Sequence, residues 1–518
     1  MQSLLIEVQN LLVDFPNEQQ AFARALDLAD RIKAAPKTNP LASDEQAIVL
    51  TVLRRLAELA EPPAELFYDD PEVEEADLPP PQVRVDFLRR MVPAQRLASE
   101  IFEARGKLEE TPTREDVALR AQLLLAFGRY DYEGAGGLGI QTTSSDPHFV
   151  SKLFGNPPSA RLPLARHVLT ASLPPLFKAH PKLNPSTGRV LSRPLGGEGA
   201  LNTWFESSEQ DVKSWRRQVG LAAVVNRVIG VLQPGEVEDL WPFLLPPLLS
   251  YLDDFETVNK IRGVAILDTL LARVDASLLR RTGVGKVFER SLESCFSALS
   301  DPSTPRLLTA TYPVALRLAN LQYPPARPSD PATADEARFT ALCKLFTSSI
   351  IHAWEFKGQN VAIETVTAKA LPPLLEAMGS TSIRYLQVLV PHLADLLATT
   401  ATAGNGGTWT LETVTLMLET SRALLAVIDN ARLRIARWEG KIGVAVAQCW
   451  VGIQESEAAM ALRTGSTEGE TVVGKLEEGL KAVLRALDGV GKTPIVTRLA
   501  PYPALASLLT SLDTVMVQ

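Results

Sequence analysis

Apolar residues recur three or four positions apart along most of the 518-residue chain. That spacing gathers them on one face of a helix. Over residues 3–14 the face is Leu4, Val8 and Leu11. Ser43-Asp-Glu-Gln46 reads as a capping box opening the helix IVLTVLRRLAELA, and Thr113 with Asp116 starts another that ends near Phe127. The stretch 241–289 organises the rest. Its first apolar run ends in Pro246–Pro247, which close one helix and begin another. Asp253–Asp254 then fall at a helix start, where a carboxylate suits the dipole. Val258, Ile261, Val264, Leu267, Leu271 and Val274 share the next face, and turns follow at Asp275-Ala-Ser277 and Thr282–Gly283. Further helices are expected over 162–179 (broken at Pro174–Pro175), 204–232, 292–318 (split at 301–305), 338–356, 360–378, 381–400, 411–429, 433–453, 472–487 and 495–516. Within 204–232, Trp215, Val219 and Val225 face inward. Ile383, Leu386, Val390, Leu393 and Leu397 give the cleanest amphipathic face.

The pattern breaks in a few places. Residues 61–82 are acidic and proline-rich, a composition that cannot hold a helix because proline blocks it and like charges repel. Leu66, Phe67 and Tyr68 inside it leave room for a docking motif. Residues 131–158 form a glycine- and serine-rich insertion, expected as a flexible surface loop. Residues 181–194 read as an ordered loop anchored by Val190 and Leu191. A second proline-rich linker covers 321–337. The resulting division is N-terminal helices (1–60), an acidic linker (61–82), one helical half (83–320), the linker 321–337, and a second helical half (338–518).

No stretch shows sustained period-two alternation. Helix pairs begin roughly 40 residues apart, the period of HEAT and armadillo arrays. One pair cannot bury its apolar face alone, so neighbours must stack. The expected fold is therefore all-α: an α-solenoid of degenerate HEAT/armadillo-like helix pairs.

Composition narrows the function. A net charge of −8 argues against a nucleic-acid-binding body, and the pairs Arg89–Arg90 and Arg216–Arg217 read as solvated helix faces. Cys295, Cys343 and Cys449 lie far apart in apolar helical patterns, as buried free thiols do in a reducing compartment. The start lacks the basic region of a signal peptide. No apolar run reaches the roughly 18 residues of a membrane span. A soluble intracellular chain is expected, with no membrane partner.

Candidate chemistry dissolves on inspection. Gly134 to Gly139 fits G-x-G-x-x-G, but no apolar strand precedes it. Gly489-Val-Gly-Lys-Thr493 resembles a P-loop end, yet Ala486 stands where the first glycine belongs and Pro494 follows. His148, His167, His180, His352 and His392 show no metal-ligand spacing. Asp253–Asp254 read as helix caps rather than as a cation site or an acid–base pair. No catalytic, cofactor or metal residue is expected, and no small-molecule substrate.

Several stretches together resemble a known family. They are PKLNPSTGRVLSRP (181–194), EQDVKSW (209–215), LLPPLLSYLDDFETVNKIRG (244–263), LLRRTGVGKVFERSLESCFSALSDPSTP (278–305), IRYLQVLVPHLADLL (383–397) and DNARLRIARWEGKI (429–442). Their most specific part is Asp253, Asp254, Lys260, Arg262 and Gly263, then Arg281, Thr282, Gly283 and Phe288. The order and spacing are similar to those of the Tti-two family, a subunit of the Triple-T complex, over roughly 180–455. The resemblance implies a non-enzymatic helical repeat protein, cytoplasmic and nuclear. It binds Tti-one directly, assembles with Tel-two, and acts with Hsp90 and its R2TP partner on phosphatidylinositol-3-kinase-related kinases. The candidate partner surface is 383–450, with Arg384, Tyr385, Arg434, Arg437 and Trp438, residue types enriched at binding hot spots. The competing expectation is that Tyr385 and Trp438 are core residues and that Arg262, Arg280 and Arg281 brace turns. Two other functions compete: an armadillo- or karyopherin-like cargo adaptor, and an enzyme using 131–158 as a lid.

Overall fold

A computed structural model describes residues 2–14, 19–35, 43–67, 81–104, 112–130, 148–155, 158–195, 215–325, 332–357, 360–402, 409–488, 490 and 495–513. Among these residues the secondary structure is helical. The one departure is an antiparallel bridge between Leu183 and Val190. No helix among them is long and apolar enough to cross a membrane. The chain forms two compact units, Met1–Ser291 and Leu292–Gln518.

The first unit begins with α1 (Gln2–Asp14), α2 (Gln19–Ala34), α3 (Ser43–Leu59), α4 (Ala64–Phe67), α5 (Pro81–Ala104), α6 (Arg114–Phe127), α7 (Phe149–Phe154) and α8 (Pro158–His167). It continues with α9 (Leu221–Val231), α10 (Pro234–Asp239), α11 (Trp241–Leu252), α12 (Thr257–Leu271), α13 (Ala276–Thr282) and α14 (Gly285–Ser297), which ends just past the division. Helices pack on alternate neighbours. One row runs α1, α3, α6, α9, α12, and another α2, α5, α7, α8. The two rows also touch, as α1 packs on α2 and α3 on α5. Leu5, Val8, Leu53, Leu56, Leu123, Leu124, Val225 and Leu267 are almost wholly out of water. The helix starts follow local chemistry: the Thr113 side chain accepts the Asp116 N–H at 3.2 Å, as its spacing predicts.

The second unit contains α15 (Thr304–Gln322), α16 (Ala332–Leu345), α17 (His352–Lys357), α18 (Val361–Met378), α19 (Leu386–Thr402), α20 (Leu411–Asn430), α21 (Glu439–Glu455), α22 (Glu457–Gly465), α23 (Thr467–Asp488), α24 (Ile495–Leu499) and α25 (Ala506–Asp513). Its rows are α15, α18, α20, α23, and α19 packed on α21. Asn360 caps α18 by accepting the Ile363 N–H at 3.1 Å, and Thr410 caps α20 with Thr413. Leu386, Leu389, Val390, Leu393 and Leu397 are buried, so the expected stripe on α19 is real, although Ile383 is only half-buried.

Several local expectations need correction. Pro246 and Pro247 do not divide two helices, because α11 runs through both. Two backbone N–H groups are lost there, but Leu244, Leu245, Leu248 and Leu249 are at most 1% exposed, and that burial holds the helix together. Part of the insertion is core: α7 buries Phe149 edge-on between Phe102 and Phe127. The acidic segment holds a helical turn, α4, whose Phe67 packs on Phe87 at 5.6 Å. Residues 332–337, expected as linker, belong to α16. Residues 204–214, both glycine motifs (134–139 and 489–493, apart from Val490) and most of the acidic segment lie outside the described residues.

Candidate interaction surfaces

The family-like residues of the first unit converge on one place. Residues 181–195 fold back on themselves. The Asn184 carboxamide accepts the N–H groups of Ser186 and Thr187, the Leu191 N–H donates to the Lys182 carbonyl at 2.9 Å, and the Val190 N–H reaches the Thr282 carbonyl at 3.0 Å. That last bond ties the hairpin to the C-terminus of α13. Gly283 follows at φ +73°, the left-handed conformation that ends a helix, and its N–H closes on the Leu279 carbonyl at 3.1 Å. The Thr282 hydroxyl donates back to the Leu278 carbonyl at 2.7 Å.

Asp253 and Asp254 act differently from each other. Asp254 accepts the Glu256 N–H at 2.8 Å just ahead of α12, so it does organise a helix start. It also holds Arg216, whose Nε donates to its Oδ2 at 2.9 Å, with both groups buried. Arg216 is therefore no solvated face, whereas Arg217 is exposed. The Arg216 guanidinium lies 4.7 Å from the Phe255 ring centre. Beside it, Trp215 stacks on Phe177 at 6.0 Å and meets Tyr251 edge-on at 4.5 Å. Burial raises the Tyr251 hydroxyl above its ordinary pKa.

Asp253 instead ends α11, its N–H donating to the Leu249 carbonyl at 2.9 Å. Its Oδ2 lies 3.8 Å from His180 Nε2. Burial raises the Asp253 carboxyl, while a Ser291 hydrogen bond and the Lys260 and Lys182 charges pull the other way. Burial, with Lys182 adding to it, lowers His180 to about 4, so near neutrality its ring is uncharged. Its Nδ1 accepts the Lys182 N–H at 3.2 Å. The Ser291 hydroxyl also donates to the Val287 carbonyl at 3.1 Å, one turn back along α14. The group fastens the hairpin, α11 and α14 together.

The remaining motif residues are mostly structural. Lys260, Gly263 and Phe288 are buried; Arg262 donates to Asn259 Oδ1 at 2.8 Å along its own helix. Arg281 forms an exposed ion pair with Glu238, and Arg280 is also exposed. Val258, expected inward, is 46% exposed, and the buried face at that end of α12 is Asn259, Lys260 and Gly263. The cause is Gly263, which lies against the Tyr251–Leu252 backbone and sets the helix rotation.

In the second unit the candidate partner residues occupy two turns. Arg384 and Tyr385 end the turn Gly379–Tyr385 before α19. Arg384 is exposed and lies over the Phe339 and Tyr385 rings at 5.4 Å each. Tyr385 is half-buried against Phe346, 4.5 Å between ring centres. Burial and Cys343 push its hydroxyl up to about 12. Arg434 and Arg437 are exposed in the turn before α21, Trp438 is half-buried, and Leu433 is 95% exposed. The two turns precede helices that pack on each other.

Sequence reasoning missed a buried polar group nearby. Glu364, 2% exposed, meets His392 Nε2 at 3.0 Å, and the His392 ring stacks on Trp354 at 3.8 Å. Trp354 Nε1 donates to Thr367 Oγ1 at 3.0 Å. The signal available was Glu364 breaking the apolar face of α18 one turn from its start. Among the described residues no three His, Cys, Asp or Glu side chains gather as a metal site.

The model of the Tti2 family matches residues 141–403, just over half of the chain. No curated protein matches.

Proposed function

The chain belongs to the Tti2 family, and on that premise we propose that it is a non-enzymatic scaffold subunit of the Triple-T co-chaperone complex. In this reading it is a solenoid of HEAT-like helix pairs that binds Tti-one directly and sits with Tel-two. Through that assembly it supports Hsp90 and R2TP in maturing phosphatidylinositol-3-kinase-related kinases, in the cytoplasm and nucleus. The observation that carries the reading is the family match, which spans the buried clasp of the first unit and the Glu364–His392 contact of the second. The fold supports it: within each unit the helices pack in rows, which leaves side faces for a partner, and a stable interface needs roughly 1,200–2,000 Å². The motif residues serve the fold rather than a reaction, which leaves exposed positions for partner contact.

Co-expression with Tti-one and size-exclusion chromatography test this. One co-eluting peak at equal stoichiometry is expected. Separate elution of two folded chains would overturn the assignment.

A further inference from the structure

A groove of about 1260 Å³ runs along the outer face of α21 in the second unit. One wall is the helix itself, with Gly440, Val444 and Val451 successively along it; the other carries Leu499 and Tyr502. Val444 is 55% exposed and Tyr502 60%, so apolar surface faces water at the centre. Arg498 donates to Glu439 at 3.2 Å, which ties the second wall to the first turn of α21.

The ends of the groove differ in charge. Glu455 and Glu457 are exposed at the C-terminal end of α21. Beyond the lining at the opposite end, the turn leading into α21 carries exposed Arg434 and Arg437. None of the four forms an ion pair with another described residue. From Gly440 to Glu455 the face is about 24 Å long at 1.5 Å per residue, room for about four helical turns.

We propose that this groove holds one amphipathic helix of about four turns from the partner protein, a step that rests on the scaffold reading above. Its apolar residues, three and four apart, seat against Val444, Val451 and Tyr502. Helices tend to carry acids in the first turn and bases in the last. The occupant therefore sets its acidic start against Arg434 and Arg437 and its basic end against Glu455 and Glu457, parallel to α21. The charge at the two ends fixes its direction, and the apolar centre supplies most of the affinity.

The test uses the full chain co-expressed with Tti-one. Val444→Arg should weaken binding at least tenfold, and Glu455→Lys with Glu457→Lys several-fold, the latter effect shrinking as salt rises. Val83→Arg, at an exposed valine of α5 outside the candidate partner surface, should bind normally. Melting curves of the isolated variants should match the parent, since every altered side chain is exposed. Undiminished binding by both groove variants, with the parent chain bound, overturns the groove and leaves the scaffold role standing. Equal loss with Val83→Arg also overturns it. A parent chain that does not bind Tti-one takes both readings down.

Discussion

Arg216 grips Asp254 through two nitrogens, Nε at 2.9 Å and Nη2 at 2.8 Å, both on Oδ2. The side chains are 4% and 0% exposed. Each charge is tolerated there only because the other is present, and removing one partner of such a pair costs about 3–5 kcal/mol. Asp254→Ala and Arg216→Ala should each lower the unfolding free energy of the first unit by that amount in urea titrations. The double change Arg216→Met with Asp254→Leu should recover most of the loss. Single variants within 1 kcal/mol of the parent, roughly the worth of an exposed pair, would show that water reaches the site.

Gly263 packs where no side chain fits. A Cβ there would lie 2.5 Å from the Leu252 nitrogen and 2.6 Å from its Cα. Alanine normally favours a helix over glycine by about 1 kcal/mol. Here the crowding wins: Gly263→Ala should destabilise by about 1–3 kcal/mol as α12 is pushed from α11. Gly474→Ala in α23, with nothing within 4 Å, should be neutral or stabilising by up to about 1 kcal/mol. Thermal melts of the two variants check the contrast; equal shifts would contradict it.

Helices were legible because apolar periodicity needs no knowledge of neighbours. Leu386, Leu393 and Leu397 could be assigned to a buried face from spacing alone. Long-range pairing was not legible. Nothing local distinguishes Arg216 from exposed Arg217, because the difference is Asp254, thirty-eight positions away. Nor does periodicity locate a close helix crossing, so Val258 was placed inside. The proline rule failed at Pro246–Pro247 because leucine burial outweighed two missing hydrogen bonds. Of the candidate partner residues, Arg384, Arg434 and Arg437 are exposed, as contact residues must be. Tyr385 and Trp438 are half-buried, a state that periodicity does not resolve.

His180 makes stability depend on pH. Its folded pKa of about 4 lies below the ordinary 6.5. The unfolded chain therefore binds the proton first as pH falls, and stability declines through the window from 6.5 down to 4. Between pH 7 and pH 5 the loss is about 2 kcal/mol. Asp253 works in the opposite sense: its raised pKa lets the folded state keep a proton longer, so its contribution falls as pH rises above 3.8. His180→Gln removes the first effect and leaves the second. Denaturation midpoints at pH 7 and pH 5 should differ clearly in the parent and much less in the variant; identical slopes would rule out the histidine as the source.

The bond from Val190 to Thr282 has a consequence for synthesis. The hairpin leaves the ribosome long before the helix that anchors it, and the serine that Asp253 holds comes later still. A nascent chain halted before Thr282 has every residue of 181–195 but lacks the carbonyl that Val190 holds. The clasp is complete only when α14 has emerged, so translation sets the order in which its bonds can form.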